Sequence, residues 1–228
     1  MTDAFGRWQW DQLAEGGSSV VARGAGASLY EPFASRAREM FTEHVVPQFV
    51  PGPVIEVGCG KGQWLELMRA RGLEATGGDR SEQMVEQARE VEPSVVRFDA
   101  ADIPHPDRAF PNALTVTVLQ HLADAEPAIA ELTRVADRRI VVHEMTRSWV
   151  PTRLSPGTTA RSVDWYERAF ARHGWRLVSD LSRETPRPRV AELLRLMPRG
   201  RAALPWLPRA AGLFAATHTW LVFDRRGA

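Results

Sequence analysis

The sequence predicts an α/β fold, a parallel sheet with helices on both faces, and three observations support this prediction. Short β-type runs alternate with helical patterns through the middle of the chain, which is typical of a doubly wound sheet. The 228 residues suffice for one domain with a substantial core. The composition, with 44% hydrophobic and 25% charged residues, is that of an ordinary globular protein.

The elements follow in order along the chain. Residues 1–30 hold glycines among aromatic residues without a sustained period, and we expect an arm with turns. A helical pattern through Phe33, Met40 and Val45 then ends at Pro47. Residues 31–181 are the predicted core, whose β-type runs are Val54–Val57, Glu74–Asp79, Val95–Phe98, Leu114–Leu119 and Arg139–His143. Its helical patterns lie between these runs, at Gln63–Arg71, Ser81–Arg89 and Ala125–Val135.

The last third of the chain departs from this alternation. Val163–His173 is predicted as a helix, Arg176–Leu181 as a strand and Thr217–Phe223 as a final strand within residues 217–228. The intervening residues 182–216 are far longer than a hairpin loop. They hold seven arginines and two glutamates, a local charge of 7 − 2 = +5. We interpret this insertion as a lid, an oligomer contact or a partner surface, and favour a lid over the same chain.

Charge and composition argue against several classes of protein. The chain has 29 basic and 28 acidic residues, so its net charge of +1 creates no field that would attract nucleic acid. It shows no apolar run long enough for a membrane span and no leader-type start. One cysteine, Cys59, cannot form an intrachain disulfide or a multi-thiolate metal site. We expect a cytoplasmic monomer or homodimer without a nucleic-acid or membrane partner.

The most informative segment is Val54–Gly62, with the sequence VIEVGCGKG. An apolar strand leads into three alternating glycines and then a helix, so the backbone can approach a ligand closely. A dinucleotide-binding loop would carry another glycine three residues after Gly60, where this chain has Gln63. Glu56 is also unfavourable beside a pyrophosphate but suits a cationic ligand. A sulfonium with an amino-acid tail would fit this loop.

Two aspartates at the ends of the next strands outline a nucleoside site. Asp79 closes the second predicted strand, where a carboxylate can accept both ribose hydroxyls. Asp99 follows the third, where it can accept the exocyclic amine of an adenine. Taken alone, each is more often a turn or helix-capping aspartate. Their spacing after the glycine loop favours the nucleoside site.

Five segments carry a resemblance to a known family: VIEVGCGKG, TGGDRSEQMVEQAR, RFDAADIP, TVLQHLAD and AELTRVADRRIVV. In order and spacing they resemble the motifs of class I S-adenosylmethionine-dependent methyltransferases, above all the small ubiquinone-biosynthesis-like branch. The resemblance covers about residues 30–181. It implies a Rossmann-like seven-stranded sheet with an antiparallel last strand, and S-adenosyl-L-methionine as the cofactor. The site residues it implies are Gly58, Gly60 and Gly62 at the methionine, Asp79 at the ribose, and Asp99 with Ala100 at the adenine.

Four further residues complete the predicted cofactor-binding set: Glu56, Cys59, Arg80 and Leu119. The chain departs from the family pattern in two places. Ala136-Asp137-Arg138 replaces the usual Pro-Gly-Gly turn before the fifth strand, and Phe110-Pro111-Asn112 replaces the usual Phe-Asp opening of the fourth. The first change alters a turn and the second removes a packing aspartate, but neither removes a predicted cofactor contact.

Methyl transfer from a sulfonium is an in-line displacement, and a weakly acidic acceptor also needs a base. His121, just past the fourth strand, is the first candidate, with a packing role as the alternative. Glu144 and His143 end the fifth strand and must point to opposite faces, so at most one faces the acceptor, and we favour Glu144 as the second catalytic candidate. The residues predicted to line the acceptor pocket are Trp8, Tyr30, His143 and Trp149.

The sequence argues against several classes of methyl acceptor. Cytosine C5 methylation needs a further cysteine nucleophile, whereas Cys59 belongs to the glycine loop. Leu119–Leu122 stands where DNA amino methyltransferases carry a Pro-Pro-aromatic motif, and no acidic pair of a catechol-type metal site follows it, so we expect no metal. A small-molecule hydroxyl, amine or carboxylate in natural-product biosynthesis is the expected acceptor. Two alternatives stay open: a peptide, carrier-bound or RNA acceptor on the basic insertion, and a cofactor-binding fold with a non-methylating activity.

Overall fold

The computed structural model describes residues 38–146, 158–181 and 217–227, which contain a sheet of seven strands. The strands are β1 Val54–Val57, β2 Ala75–Asp79, β3 Val96–Arg97, β4 Phe110–Val116, β5 Ala136–Thr146, β6 Trp175–Asp180 and β7 Thr217–Arg225. Their order across the sheet is β3-β2-β1-β4-β5-β7-β6. Strands β1 to β5 pair in parallel, and β7 runs antiparallel between β5 and β6. The predicted seven-stranded sheet with an antiparallel last strand is confirmed.

Helices connect the strands and cover both faces of the sheet. They are α1 Gln63–Ala70, α2 Glu82–Ala88, α3 Glu126–Val135 and α4 Val163–Ala171. Helices α1 and α2 pack with Phe41 and Val45 on one face, whereas α3 and α4 pack with Ile55 and Val57 on the other. Serine side chains cap α2 and α4, because Ser81 and Ser162 accept the N–H groups of residues three positions later. This two-layered core brings the carboxyl ends of β1, β2, β4 and β5 to one edge of the sheet.

The prediction for the fourth strand was wrong in its bounds. Strand β4 begins four residues before the predicted Leu114 and ends at Val116. It ends there because Thr117 adopts a left-handed backbone with φ 56°, and Leu119–His121 then form one turn of 3-10 helix. Pro111, which has no N–H to donate, lies where the β4–β5 register shifts.

Both departures from the family pattern have a structural counterpart. Asn112 is fully buried, and its side chain accepts the N–H of Val50 at 2.9 Å and donates to the Val50 carbonyl at 2.8 Å. This amide therefore anchors the segment that leads into β1. At Ala136-Asp137-Arg138, the other departure, no separate turn forms, since β5 begins at Ala136, directly after α3.

Several predictions fall outside the described residues. These are the arm 1–30 with Trp8 and Tyr30, the pocket residue Trp149, and the insertion 182–216. They stay predictions. Among the residues that the structure describes, none of the helices has the length and apolar content needed to cross a bilayer.

Candidate functional site

The glycine loop leaves β1 at the carboxyl edge of the sheet and is held against β2. The N–H groups of Gly58 and Cys59 both donate to the Gly78 carbonyl, at 2.8 and 3.0 Å. Gly58 has φ +77°, and a Cβ at this position would collide with the Val118 side chain. Gly60 also has a positive φ, +53°, but a Cβ there would face open space. Conformation therefore requires glycine at Gly60, and the open side is where a ligand can approach the loop.

Asp79 ties this loop to the next helix. Its two carboxylate oxygens accept the N–H of Gly60 at 3.0 Å and that of Ser81 at 2.9 Å. Burial raises the pKa of Asp79, while these N–H groups and the neighbouring Arg80 charge act in the opposite direction. The side chain is half-buried at the end of β2, and the accessible part of its carboxylate can still accept hydroxyl groups of a ligand.

Asp99 lies beyond the end of β3 and is exposed. Its carboxylate accepts the N–H of Ala101 at 3.0 Å, which is a turn contact. Ala100 is half-buried against the core cluster that includes α3. The structure thus places both residues at the carboxyl edge that the sequence predicted, with Asp99 open to solvent.

Glu56 is the most unusual side chain near the loop. It is fully buried, and within the described part of the chain neither carboxylate oxygen has a hydrogen-bond partner. Burial raises the pKa of Glu56 well above its usual range, repulsion from Asp79 raises it further, and the nearby N–H of Leu65 acts in the opposite direction. Keeping a charged carboxylate buried without a close, well-aligned partner is costly, so Glu56 is the least stabilised charged group near the loop.

Three other predicted cofactor residues play mainly structural roles. Burial raises the pKa of the Cys59 thiol, as do the charges of Glu56 and Asp79, so Cys59 stays a thiol. Gly62 is buried, and a Cβ there would lie 3.3 Å from the Ala88 Cα, so it allows α1 to approach α2. The side chain of Leu119 is fully buried in the core, and its contact with the cofactor stays a prediction.

The turn after β4 carries His121 and lies beside the glycine loop through Val118. His121 is half-buried, and its Nε2 lies 3.2 Å from the Nε2 of Gln120. The Gln120 side chain in turn accepts the N–H of Met145 at 2.8 Å, at the end of β5. His121 is therefore at the carboxyl edge of the sheet, where the sequence predicted it.

The structure corrects the expectation that Glu144 faces an acceptor. Its fully buried carboxylate accepts the N–H groups of Val118 and Leu119 on one oxygen and of Gln120 on the other, at 2.8–2.9 Å. His143, as expected, points to the opposite face, where its ring packs against Trp220 in a tilted arrangement with a centroid distance of 4.1 Å. Burial raises the pKa of Glu144 to about 7 against the opposing effect of the three N–H groups.

Sequence reasoning missed Arg161 and Trp220. Arg161 is 7% exposed and donates to the carbonyls of Leu119 and Leu122, at 2.7 and 2.6 Å. A single arginine before a capping serine carries no motif, so only the three-dimensional contacts reveal it. Trp220 is on β7, beyond the insertion, and no local pattern connects it with His143.

No group of three or more His, Cys, Asp or Glu side chains that could hold a metal occurs within residues 38–146, 158–181 and 217–227.

Comparison with known proteins identifies the family. Residues 55–139 match the family model described as a methyltransferase domain. These matches support a class I S-adenosylmethionine-dependent methyltransferase domain in this chain. The matched range begins in β1 and ends within β5, so it contains the glycine loop, Asp79, Asp99 and His121.

Curated relatives share part of this methyltransferase domain. Over 122 residues the chain is 34% identical to malonyl-[acyl-carrier protein] O-methyltransferase of Salmonella typhimurium, a match covering 51% of this chain and 48% of the relative. The chain thus spans about half the length of this relative, and less of some others.

Solved structures match nearly the whole chain. Geranyl diphosphate C-methyltransferase from Streptomyces coelicolor A3(2) has a TM-score of 0.67 at 15% identity, covering 99% of this chain and 100% of that one. The [4+2]-cyclase SpnF has a TM-score of 0.62 at 22% identity, covering 94% and 90%. At these identities the likeness establishes the fold.

Proposed function

We propose that this protein binds S-adenosyl-L-methionine and transfers its methyl group to a small-molecule hydroxyl, amine or carboxylate. The observation that carries this proposal is Glu56, a buried carboxylate without a hydrogen-bond partner among the described residues, beside an open glycine loop. The cofactor presents an ammonium group that can pair with such a carboxylate. It also carries a ribose, which can reach Asp79 because the ends of β1 and β2 are adjacent in the sheet.

Each site residue then has a defined task. Gly58 and Gly60 let the backbone lie against the methionine moiety, Asp79 accepts the ribose hydroxyls, and Asp99 with Ala100 borders the adenine. When bound, the cofactor supplies an electrophilic methyl group on a sulfonium. The chain holds the acceptor in line with that methyl group and excludes water.

His121 is the residue that we propose to orient or deprotonate the acceptor. It lies at the carboxyl edge of the sheet, half-buried, on a turn that touches the glycine loop. A hydroxyl or ammonium acceptor needs such a base, whereas a carboxylate acceptor needs only orientation. His143, whose ring packs against Trp220, is our candidate for the adjoining pocket wall.

Cofactor binding can be tested by calorimetry with S-adenosylhomocysteine. Asp79→Ala should weaken binding by roughly 1.5–3 kcal/mol, because it removes hydrogen bonds to a charged acceptor. Asp107→Asn is the control, since Asp107 is an exposed aspartate paired with Arg134 away from the loop. Unchanged affinity in Asp79→Ala, or tighter binding of NAD than of S-adenosylhomocysteine, would contradict the proposal.

Methyl transfer itself needs a separate assay. Purified protein is incubated with methyl-labelled S-adenosylmethionine and a panel of carboxylic acids, phenols and amines, and labelled products are separated by mass. We expect label on one class of acceptor, and His121→Asn should lower turnover about 10²–10⁴-fold if the acceptor needs a base. Near-normal turnover in a folded His121→Asn variant would assign His121 to packing.

A carrier-bound acceptor is favoured by the malonyl-[acyl-carrier protein] relative and by the basic insertion at residues 182–216. Turnover on a carrier-bound acceptor should fall steeply as the salt concentration rises. Salt screens contacts between exposed charges, and the Debye length is already about 8 Å at physiological ionic strength. Turnover on a free small molecule should change little. We propose a cytoplasmic role in natural-product biosynthesis for either case.

The [4+2]-cyclase among the structural matches favours one second candidate, a cofactor-binding fold whose reaction transfers no methyl group. In that case the product would have the mass of the substrate, and no S-adenosylhomocysteine would form. Mass spectrometry of the same reactions distinguishes the two functions.

A further inference from the structure

The turn after β4 is held from one side by a buried carboxylate. Glu144 Oε1 accepts the N–H groups of Val118 and Leu119, at 2.9 and 2.8 Å, and Oε2 accepts that of Gln120 at 2.9 Å. Three consecutive main-chain donors therefore converge on one side chain that belongs to a different strand. Bonds of this kind to a charged acceptor are stronger than those between neutral groups.

A buried guanidinium holds the same turn from its carbonyl side. Arg161 donates to Leu119 at 2.7 Å, to Leu122 at 2.6 Å and to Ala123 at 3.3 Å. Its guanidinium carbon lies 4.8 Å from the centre of the Trp165 ring, which fixes the plane of the group. The charge of Arg161 also favours ionised Glu144. The turn is thus fixed by a buried carboxyl group at its N–H groups and by a guanidinium at its carbonyls.

This fixed turn connects two parts of the proposed site. Val118 lies against Gly58, where no Cβ could fit, so movement of the turn would move the wall of the glycine loop. His121 follows three residues later on the same turn. Thr117, the first residue of this turn, has the left-handed φ of 56°, which a β-branched residue adopts only when its surroundings enforce it.

We propose that Glu144 and Arg161 are positioning residues, which hold the 117–123 turn so that Val118 supports the cofactor loop and His121 faces the acceptor. The inference rests on the proposed function for the role of His121, but its effect on the cofactor loop can be measured without an acceptor. Neither residue touches substrate in this scheme. Both act through the main chain of the turn.

The test uses the full chain, with S-adenosylhomocysteine as the probe in calorimetry and amide exchange measured at Val118, Leu119 and Gln120. Glu144→Gln and Arg161→Gln should each weaken S-adenosylhomocysteine binding by about tenfold, the effect of one hydrogen bond to a charged group. Amides of the turn should exchange faster in Glu144→Gln, while those in the middle of β5 stay protected. Millimolar guanidinium should restore affinity to Arg161→Ala.

Arg225 provides a matched control at the opposite edge of the sheet. It too donates to three main-chain carbonyls, those of Thr133, Ala136 and Asp137, and stacks on a tryptophan, Trp175, at 4.8 Å. Arg225→Gln should lose comparable stability and keep its affinity for S-adenosylhomocysteine. This comparison separates positioning of the site from general support of the fold.

The outcomes are distinct. Unchanged affinity in both Glu144→Gln and Arg161→Gln would overturn the inference, as would an equal loss in Arg225→Gln. If Glu144→Gln does not fold, the Arg161 variants and their guanidinium rescue decide the question. Failure of the wild-type protein to bind S-adenosylhomocysteine would contradict the proposed function instead, and faster exchange at the turn in Arg161→Gln would still support the positioning role.

Discussion

Single residues at the carboxyl edge of the sheet carry unusual conformations and charges. Thr117 is the sharpest conformational case in this region, because a β-branched side chain disfavours a positive φ by roughly 1–2 kcal/mol. Strand β4 must nevertheless end there, since the residues after Thr117 supply the N–H groups that Glu144 accepts. The strain at Thr117 is thus coupled to the contacts of the turn.

Replacing Thr117 should release this strain. We expect Thr117→Asn to raise the free energy of unfolding by about 1 kcal/mol, because asparagine tolerates the left-handed conformation. Thr117→Val, which keeps the branched Cβ, should give no such gain. Urea denaturation of the three proteins measures both values, and an equal change in both variants would show that strain is not the cause.

Glu144 should give the protein a specific dependence on pH. Burial raises its pKa to about 7 from an ordinary 4.5, so its stabilising contribution is complete below pH 4.5 and is lost as the pH rises through 7. Glu144→Gln does not titrate. We therefore expect the stability of the wild type relative to that of Glu144→Gln to fall by roughly 3 kcal/mol between pH 4.5 and pH 8. A constant difference across this range would contradict the shift.

At the level of helices and strands, much of the fold could be predicted from sequence. Helices α1, α2, α3 and α4 each carry one apolar stripe with a period near 3.6, and β1 is a short apolar run between a proline and a glycine. The bounds of β4 could not be predicted in this way. They depend on Thr117, whose φ follows from contacts with β5, and on Asn112, whose partners lie about sixty residues earlier.

The same distinction applies to the candidate site. The glycine loop and Asp79 are adjacent in a local motif and could be found from spacing alone. The roles of Glu144 and Arg161 depend on contacts 24–42 residues apart in the chain. A buried acid on a strand looks the same in sequence whether it faces a ligand or a turn, so the catalytic interpretation of Glu144 could not be corrected without the structure.

Asn112 allows a test at the level of the β1–β4 junction. Its amide N–H groups face the carbonyls of Val50, Gly52 and Pro53, at 2.8–3.4 Å. An ionised aspartate would place negative charge against these three oxygens. Asn112→Asp should therefore destabilise the protein by more than Asn112→Ala at pH 8, where the alanine variant costs about 2–3 kcal/mol for the unpaired groups.

Lower pH should reduce the penalty in Asn112→Asp, since a protonated carboxyl can donate as the amide does. Thermal or urea unfolding of both variants at pH 5 and pH 8 gives the comparison. If Asn112→Asp is as stable as the wild type at pH 8, the segment before β1 must be able to present donors in place of its carbonyls.

For the whole molecule, the carboxyl groups of the proposed site lower the free energy of unfolding when they are ionised. Glu56, Asp79 and Glu144 belong to the same edge of the sheet, and burial raises the pKa of each carboxyl. Each contributes stability that is present at low pH and lost as the pH rises through its folded-state pKa. Elsewhere the pKa values of Glu92 and Glu131 are lowered by polar and charged partners, so their contributions are lost instead as the pH falls toward 4 and below.

The last prediction combines this dependence of stability on pH with ligand binding. The protein alone should lose stability between pH 5.5 and pH 8, whereas S-adenosylhomocysteine, whose ammonium pairs best with ionised Glu56, should bind more tightly as the pH rises. Ligand at 100 times its Kd adds about 2.7 kcal/mol by mass action. The stabilisation by a fixed ligand concentration should therefore increase as the pH rises and Glu56 ionises. Glu56→Gln should show the same small stabilisation at both pH values, because it has no charge to gain. Denaturation curves with and without ligand measure the stabilisation of the wild type and of Glu56→Gln at both pH values. If the stabilisation of Glu56→Gln depends on pH as strongly as that of the wild type, Glu56 does not belong to the binding site.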